Sequence, residues 1–521
     1  MNPFYYGNDE MHIADALQLA NGERKGVLSE QTIAKISASE KNAALLAEGD
    51  KTVYGINTGF GILAQTKISA ADTSVLQHKI LQSHSAGVGS PIARELSKLM
   101  LVTKVHSLAK GYSGIRLETL YRLLWFIEQD AIPVVPEKGS VGASGDLAPL
   151  SHLCLPLIGL GSLSIKNTEG AYEIVTADIY LQQKGLAPLT LGPKEGLALI
   201  NGTQFILSHG ILGIARFNRL LEYADLIGAI SLEALMGSPA PFDKRLHALR
   251  PFAGSQLVAQ RLRVLLAESE IVKSHANCDR VQDPYSLRCI PQVHGASRNA
   301  WLHLKQLVEI ELNAVTDNPV LIAETESISG GNFHGQPLAL PLDYACFAAA
   351  EMGNISDRRS YLLLEGKWGL PTLLMENIGL NSGFMIPQYT TAALVTENKT
   401  LCFPASVDSI PTSLGQEDHV SMGSISARKF NTVLNNLEYI LSIELLLAAQ
   451  ALEFRRPLKS SPILEKFHAH VRSIVPFAKE DRVLSIDIEN VVQIVRDNTL
   501  LNQLNKYVGH SLNDGFSEFD C

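Results

Sequence analysis

The segment Leu445-Leu446-Leu447-Ala448-Ala449 lies near the end of a proline-free stretch from Ser424 to Arg456. Apolar residues recur along this stretch at helical spacing, at Val433, Leu434, Leu437, Ile440 and Leu441. Pro457 then ends the predicted helix. Because the Leu445–Ala449 part is apolar almost all round, it must be buried on every side, in the centre of a bundle or in a subunit interface.

Helical periodicity also dominates the rest of the chain. Gln204 to Met236 is free of proline, and a strand pattern occurs only locally, as a hairpin near 162–175. We therefore predict a mainly α protein, an elongated antiparallel helical bundle with a smaller, mixed and loop-rich N-terminal part. The predicted division places the N-terminal part at 1–110 and the bundle at 111–521.

Composition and net charge limit the kinds of partner that this chain is expected to bind. The chain has 521 residues, of which 46% are hydrophobic and 19% charged, as in a soluble globular protein. A net charge of −9 disfavours nucleic acid or an anionic membrane as the main partner. The six cysteines form no Cys-x-x-Cys pair, and neither a signal pattern nor an apolar run of about 18 residues occurs. These features predict a cytoplasmic protein with reduced thiols.

The most unusual chemistry lies in Gly139-Ser140-Val141-Gly142-Ala143-Ser144-Gly145-Asp146. The Gly145 amide nitrogen can attack the Ala143 carbonyl carbon, because glycine carries no side chain and tolerates unusual dihedral angles. Loss of water from that ring and of the Ser144 hydroxyl would leave a methylidene, an electrophile that standard side chains do not supply. The alternative is an ordinary loop in which Asp146 caps a helix with Pro149 in its first turn.

Further segments carry candidate functional residues, each with a plain structural alternative. Tyr54 stands in a glycine-punctuated loop that includes Gly55, Gly59 and Gly61, either a mobile lid or a flexible turn. Ser83-His84 precedes a glycine-containing break, and Asn201 either serves the site or caps the next helix. Tyr285 and Arg288, three apart after Gln282-Asp283-Pro284, suit a carboxylate or a structural ion pair. The last two segments are Ser329–Gly335, with Phe333, and Gln416–Met422, with Glu417, and the alternative for the second is a solvated charge run on the surface.

Together these segments resemble the aromatic amino acid ammonia-lyases that use a methylidene-imidazolone group. The resemblance runs from about Tyr54 to beyond Met422, in the order of the family. Ser83-His84 and Glu417 are similar to the branch that acts on histidine. Leu414-Gly415, His294, Pro387 and Tyr389 depart from the pattern of that branch.

The resemblance implies elimination of ammonia from L-histidine to give trans-urocanate, the first step of histidine degradation. It implies a 4-methylidene-imidazol-5-one formed autocatalytically from Ala143-Ser144-Gly145, with no diffusible cofactor and no metal. It also implies a homotetramer whose active sites combine loops from several subunits. The alternatives are the same chemistry on tyrosine or phenylalanine, an aminomutase, and an inactive helical scaffold. His468-Ala-His470 is interpreted as an exposed polar helix face rather than a ligand pair.

Residue roles follow from the resemblance. The implied catalytic residues are Tyr54, Tyr285 and Glu417, together with Ala143, Ser144 and Gly145. The implied substrate-binding residues are His84, Asn201, Gln282, Arg288 and Phe333. Tyr54 would take the β-proton, and a phenol used as a base near neutral pH needs donors or positive charge facing the phenolate. The amides beside Gly55 and Gly59, or a helix N-terminus, are candidate donors.

Overall fold

The computed structural model of the chain describes residues 2–49, 52–59, 68–69, 72–277, 279–324, 326–508 and 512–520. About 59% of the described residues are helical and 8% are in strands, which confirms the predicted mainly α class. The described helices are α1 Ile13–Asn21, α2 Glu30–Glu48, α3 Thr73–His84, α4 Arg94–Ala109, α5 Leu117–Glu128, α6 Leu147–Cys154, α7 Ala177–Gln183, α8 Glu195–Ile200, α9 Gln204–Ala234, α10 Lys244–Ala248, α11 Ala253–Leu265, α12 Glu270–Ser274, α13 Tyr285–Arg288, α14 Ile290–Leu312, α15 Gln336–Leu364, α16 Met385–Leu401, α17 Gly423–Glu453, α18 Pro462–Ile474, α19 Leu484–Arg496 and α20 Thr499–Val508.

The strands form small sheets of two or three members. They are β1 Phe4–Tyr5, β2 Gly26–Val27, β3 Val88–Pro91, β4 Ile132–Pro133, β5 Pro136–Lys138, β6 Ser162–Lys166, β7 Tyr172–Thr176, β8 Val320–Ala323 and β9 Glu326–Ile328. Strands β6 and β7 pair antiparallel, with Ser162 opposite Thr176 and Lys166 opposite Tyr172. This pair is the hairpin predicted near 162–175.

The chain divides into two compact units. The first unit comprises 1–212, 305–343 and 404–428, and the second comprises 213–304, 344–403 and 429–521. Each unit is therefore built from three separate stretches of sequence. The division predicted at residue 110 stays a prediction.

Helix α17 supplies much of the interior of the second unit. Leu445, Leu447, Ala448 and Ala449 are fully buried and Leu446 is 1% exposed, as their all-round apolar pattern predicts. In the described part of the chain, this is the helix long and apolar enough to cross a membrane, but 83% of its apolar window is buried inside the protein. It is therefore packed as the core helix of the unit.

The second unit also buries a network of charges. Asp225 accepts hydrogen bonds from Arg261 Nε at 2.7 Å, Arg298 Nη2 at 2.6 Å and His294 Nδ1 at 2.8 Å. All four side chains are almost completely buried, so each carboxylate oxygen needs such a partner. Burial lowers the pKa of His294, although Asp225 acts in the opposite direction.

His468 corrects one expectation from the sequence. Its side chain is buried on α18, where Nε2 lies 3.3 Å from Glu453 Oε1 and Nδ1 lies 3.3 Å from Arg456 Nη2. The prediction of an exposed polar face is therefore wrong at His468. No cluster of three or more metal-ligating side chains is found among the residues the structure describes.

In the first unit, three helices position the functional residues. Helices α3, α6 and α8 pack against one another. Their buried apolar residues include Leu81, Leu150 and Leu199, each fully buried. His84 ends α3, Ser144 precedes α6, and Asn201 follows α8, so the three packed helices bring these three residues to one place.

Candidate active site

One cavity of about 620 Å³ in the first unit collects most of the predicted site residues. Those that line it are Tyr54, His84, Ala143, Ser144, Asn201, Phe333 and Glu417. They come from six separate segments of the sequence. Gly145 is buried beside the cavity rather than lining it.

The Ala143-Ser144-Gly145 segment forms a sharp turn with left-handed backbone. The φ angles are +77° at Gly142, +52° at Ser144 and +78° at Gly145. A non-glycine residue in this region is uncommon, and Ser144 is held there by the surrounding contacts. At Gly145 a Cβ atom would lie 2.1 Å from Gly202 O, so only glycine fits this close backbone approach.

Asp146 fastens the turn to helix α9. Its backbone N–H donates to Gly202 O at 2.7 Å, and its Oδ2 accepts from the N–H groups of Phe205 at 2.9 Å and Ile206 at 3.0 Å. The carboxylate therefore caps α9, a helix distant in sequence, and makes no capping bond to α6, which it precedes. Burial raises the pKa of Asp146 to about 7, against the lowering effect of the two N–H donors.

Asn201 contacts the turn directly. Its side-chain Nδ2 donates to Ser144 O at 2.8 Å, so the amide serves the turn instead of capping the following helix. Its own backbone oxygen accepts from Lys104 Nζ at 2.7 Å. Lys104 is fully buried, and burial lowers the pKa of its ammonium group to about 8.

Glu417 lies opposite the turn and is held at both carboxylate oxygens. Ser144 Oγ donates to Oε1 at 3.0 Å, and Thr412 Oγ1 donates to Oε2 at 3.0 Å. The segment that carries Glu417 is fixed nearby, since Met422 N donates to Val141 O at 2.9 Å and Ser424 Oγ to Ser140 O at 2.6 Å. Glu417 is thus a half-buried cavity residue, and the alternative of a solvated charge run is wrong for it.

His84 presents a neutral imidazole to the same cavity. Its Nδ1 lies 3.0 Å from Ser83 Oγ, and burial lowers its pKa while the charge of Glu417 raises it. Burial is the larger effect, so the uncharged ring is favoured at neutral pH. An uncharged ring can both donate and accept a hydrogen bond.

Tyr54 is half-buried and lines the cavity from its glycine-containing loop. The Gly55 N–H, one of the candidate donors to the phenolate, donates to Thr58 Oγ1 at 3.1 Å. This amide is therefore already engaged within its own loop. Phe60 and Gly61 of this loop lie outside the described residues.

Phe333 reaches the cavity together with two additional imidazoles. His334 and His419 also line it, and their rings stack at 5.6 Å between centroids. His334 Nε2 lies 3.3 Å from His419 O, which ties the Phe333 loop to the Glu417 segment. Both histidines stood within the segments that the sequence singled out, but nothing in the sequence predicted their pairing.

Three predicted residues are not in the set that lines this cavity. Gln282, Tyr285 and Arg288 belong to the second unit, and none of them is among the described residues that line the cavity. The Arg288 guanidinium carbon lies 4.4 Å from the centroid of the Tyr285 ring, so the predicted shared face is present. Tyr285 is 70% exposed, which leaves its phenol accessible.

The residues at the turn fit a ring closed between Gly145 and Ala143. The backbone is already sharply folded at Ser144, Gly145 has no Cβ, and the Ser144 carbonyl has a side-chain donor in Asn201. The Asn201 Oδ1 atom is buried without a hydrogen-bond partner in the described part of the chain, so this amide has an acceptor still to use.

The chain belongs to the aromatic amino acid lyase family, whose profile matches residues 11–473, and it is a carbon–nitrogen lyase. It is 46% identical to the histidine ammonia-lyase of Myxococcus xanthus over 95% of this chain and 96% of that protein. It is 47% identical to the histidine ammonia-lyase of Natranaerobius thermophilus over 92% of this chain and 94% of that one.

Solved structures agree with this assignment. The histidine ammonia-lyase of Trypanosoma cruzi superposes with a TM-score of 0.88 at 41% identity, covering 97% of this chain and 96% of that one. A tyrosine aminomutase of Streptomyces globisporus superposes with a TM-score of 0.90 at 33% identity, covering 97% and 99%. The fold of this chain is therefore shared by enzymes with different named activities.

Proposed function

We propose that this protein eliminates ammonia from L-histidine to give trans-urocanate and that its catalytic centre is the Ala143-Ser144-Gly145 turn. Eight curated relatives named histidine ammonia-lyase, at 45–47% identity, support the substrate. The observation that carries the proposal is the 3.0 Å separation between Glu417 Oε1 and Ser144 Oγ. It puts an anionic acceptor for an imidazole N–H next to the residue where the chemistry would occur.

The difficulty of the reaction is to remove a weakly acidic β-proton and to release ammonia. A 4-methylidene-imidazol-5-one formed from Ala143, Ser144 and Gly145 would supply the electrophile that makes the substrate nitrogen a better leaving group. Asn201 and Asp146 hold the turn in place, through the Ser144 carbonyl and the N-terminus of α9. The other residues then bind the substrate and move its proton.

We assign removal of the substrate's β-proton to Tyr54, whose phenol side chain lines the cavity. One candidate donor in its loop, the Gly55 amide, is bound to Thr58. Positive charge next to the cavity lining is available from Lys104, which donates to the backbone oxygen of the cavity residue Asn201. Positive charge favours the phenolate, the form that accepts a proton.

Two residues are assigned to the imidazole of the substrate. Glu417 would accept its N–H, and His84, neutral because of its burial, would donate or accept a second hydrogen bond. A carboxylate gains more from a polar imidazole than from a phenyl ring, since a phenyl ring offers no N–H. Phe333 completes the cavity wall with apolar surface.

Binding of the substrate carboxylate is assigned to Arg288, with help from Tyr285. Gln282 would orient the substrate. An arginine fork matches a carboxylate in two hydrogen bonds. Because Tyr285 is 70% exposed, we propose that these residues serve the active site of another copy in a homotetramer. The protein would act in the cytoplasm, with neither nucleic acid nor membrane as a partner.

The second candidate is the same chemistry on tyrosine, including return of ammonia at the β-carbon. The superposition with tyrosine aminomutase, at a TM-score of 0.90, favours it, but the identity of 33% is lower than the 46% to histidine enzymes. Steady-state assays with L-histidine, L-tyrosine and L-phenylalanine, following each unsaturated product by absorbance and each β-amino acid by chromatography, distinguish the two. Urocanate from histidine with the highest kcat/KM supports the proposal, and a preference for tyrosine contradicts it.

A further inference from the structure

We infer that Thr412 is a positioning residue that fixes the carboxylate of Glu417 for the substrate. This inference rests on the proposed function, in which Glu417 accepts the imidazole N–H. Thr412 lines no part of the cavity, so it would act only through Glu417. It stands outside every segment that the sequence singled out.

The contacts between the two residues involve both side chain and backbone. Thr412 Oγ1 donates to Glu417 Oε2 at 3.0 Å, and Thr412 N donates to Glu417 O at 2.9 Å. A weaker contact in the other direction joins Glu417 N to Thr412 O at 3.4 Å. Thr412 thus holds the backbone and one carboxylate oxygen of Glu417 together.

Ring formation would remove the hydrogen-bond donor of one Glu417 carboxylate oxygen and leave the donor of the other. Oε1 accepts from Ser144 Oγ, the hydroxyl that ring formation would remove, whereas Oε2 accepts from Thr412. Once the Ser144 hydroxyl is lost, Oε1 would need a new donor and Oε2 would keep its present one. Thr412 would therefore leave one oxygen for the substrate while restricting the rotation of the carboxylate.

The turn between the two residues supports a functional role. Ser413, Leu414 and Gly415 all have left-handed backbone, with φ of +50°, +52° and +89°. Burial does not offset the unfavourable backbone conformation of Leu414, since its side chain is 88% exposed. Such strain persists where the surroundings fix it, and here the paired residues Thr412 and Glu417 close the turn.

The test is a double-mutant cycle between Thr412→Val and Glu417→Gln, with Thr412→Ser as the conservative variant. Valine keeps the β-branched shape and removes the hydroxyl, and serine keeps the hydroxyl. Thr396→Val is the matched control, because Thr396 Oγ1 donates only within its own helix, to Ala392 O at 2.9 Å. Intact mass, circular dichroism, kcat/KM for histidine and the Kd of imidazolepropionate, which carries no amine to eliminate, are measured for every variant.

We expect Thr412→Val to lower kcat/KM and imidazolepropionate affinity about tenfold, the worth of one hydrogen bond to a charged group. Thr412→Ser should stay within about twofold of wild type, and Thr412→Val should cost less than about twofold in the Glu417→Gln background. Additive losses of kcat/KM in the double variant would overturn the inference and leave the proposed function standing. The same conclusion would follow if Thr412→Val kept wild-type activity while Glu417→Gln was impaired. A fully active Glu417→Gln would overturn both. If Thr412→Val fails to fold, Thr412→Ala in the same cycle decides by the same criteria.

Discussion

Asn201 donates a hydrogen bond from its side-chain amide to the backbone carbonyl of Ser144, over 2.8 Å. The two residues are far apart in sequence, and each is positioned by a different helix, α8 for Asn201 and α6 for Ser144. Lys104 Nζ in turn holds the Asn201 backbone oxygen at 2.7 Å. The central turn is therefore supported by a buried polar chain, and its members can be tested one at a time.

Replacing Asn201 with alanine should lower kcat by about 10- to 100-fold, because a preorganised donor to the Ser144 carbonyl is lost. Urocanate absorbance measures turnover, and intact-protein mass measures how much of the chain carries the ring. Asn8→Ala is a suitable control, since Asn8 makes only a long, exposed side-chain contact with Asp9 at 3.4 Å. An Asn201→Ala enzyme with wild-type kcat and complete ring content would contradict this role.

Replacing Tyr54 with phenylalanine should lower kcat by about 10²- to 10⁴-fold, the usual contribution of a general base. KM should change much less, because the ring that lines the cavity is retained. Tyr121→Phe, on the exposed face of α5, gives the comparison for a phenol outside the site. Near-normal turnover by Tyr54→Phe would exclude Tyr54 as the base.

Replacing Glu417 with glutamine should reduce activity on histidine more than the binding of phenyl-ring analogues such as cinnamate. The charge of the carboxylate favours an imidazole N–H, whereas a phenyl ring makes no hydrogen bond with it. The measurement compares kcat/KM for histidine with the inhibition constant of cinnamate in wild type and variant. Equal losses for both ligands would count against an imidazole-specific role.

Removing the Asp146 carboxylate should destabilise the first unit. Asp146→Ala leaves the buried N–H groups of Phe205 and Ile206 without their acceptor, at a cost of about 1–3 kcal/mol. Thermal unfolding of purified protein measures the change. Asp178→Ala, at an exposed position in the first turn of α7, provides the comparison. An unchanged melting temperature for Asp146→Ala would show that α9 does not depend on this cap.

Acid should destabilise the protein through buried neutral histidines. Burial lowers the pKa of His106 from 6.5 to about 4, while its Nδ1 accepts from Gly7 N at 3.2 Å. In the unfolded chain the same histidine protonates below pH 6.5, so unfolding takes up a proton and stability falls as the pH drops from 6.5 to 4.

The contribution of His106 is on the order of 3 kcal/mol at the acid end of this range. His106→Asn cannot take up this proton, so its melting temperature should fall less steeply between pH 7 and pH 4.5 than that of wild type. The difference between the two slopes isolates His106 from other buried histidines such as His209, whose pKa burial lowers to about 3. Parallel slopes would refute the assignment.

The sequence predicts the helices and the site loops well because their signals are local. The all-round apolar pattern of Leu445–Ala449 predicts burial, and all five residues are buried. The string from Gly139 to Asp146 predicts an unusual turn, and Ser144 has left-handed backbone there. In both cases the residues that form the sequence pattern are the same residues that adopt the predicted burial or backbone conformation.

Partners distant in sequence could not be predicted in the same way. Asp146 follows the rule for a helix cap, yet its carboxylate caps α9 rather than α6, since tertiary packing decides which N–H groups it meets. Thr412 and Lys104 carry no motif of their own, and their roles depend on contacts with Glu417 and Asn201. A threonine five residues before a glutamate was the one signal for Thr412, and it is too common to single out.

The most direct test of the central claim is the intact mass of purified, active protein. The account predicts a mass lower than that of the encoded chain by two water molecules, with the loss mapped by fragmentation to Ala143-Ser144-Gly145 and reduced or absent in Ser144→Ala. Active protein that retains the full mass of the encoded chain, with an unmodified tripeptide, would contradict it.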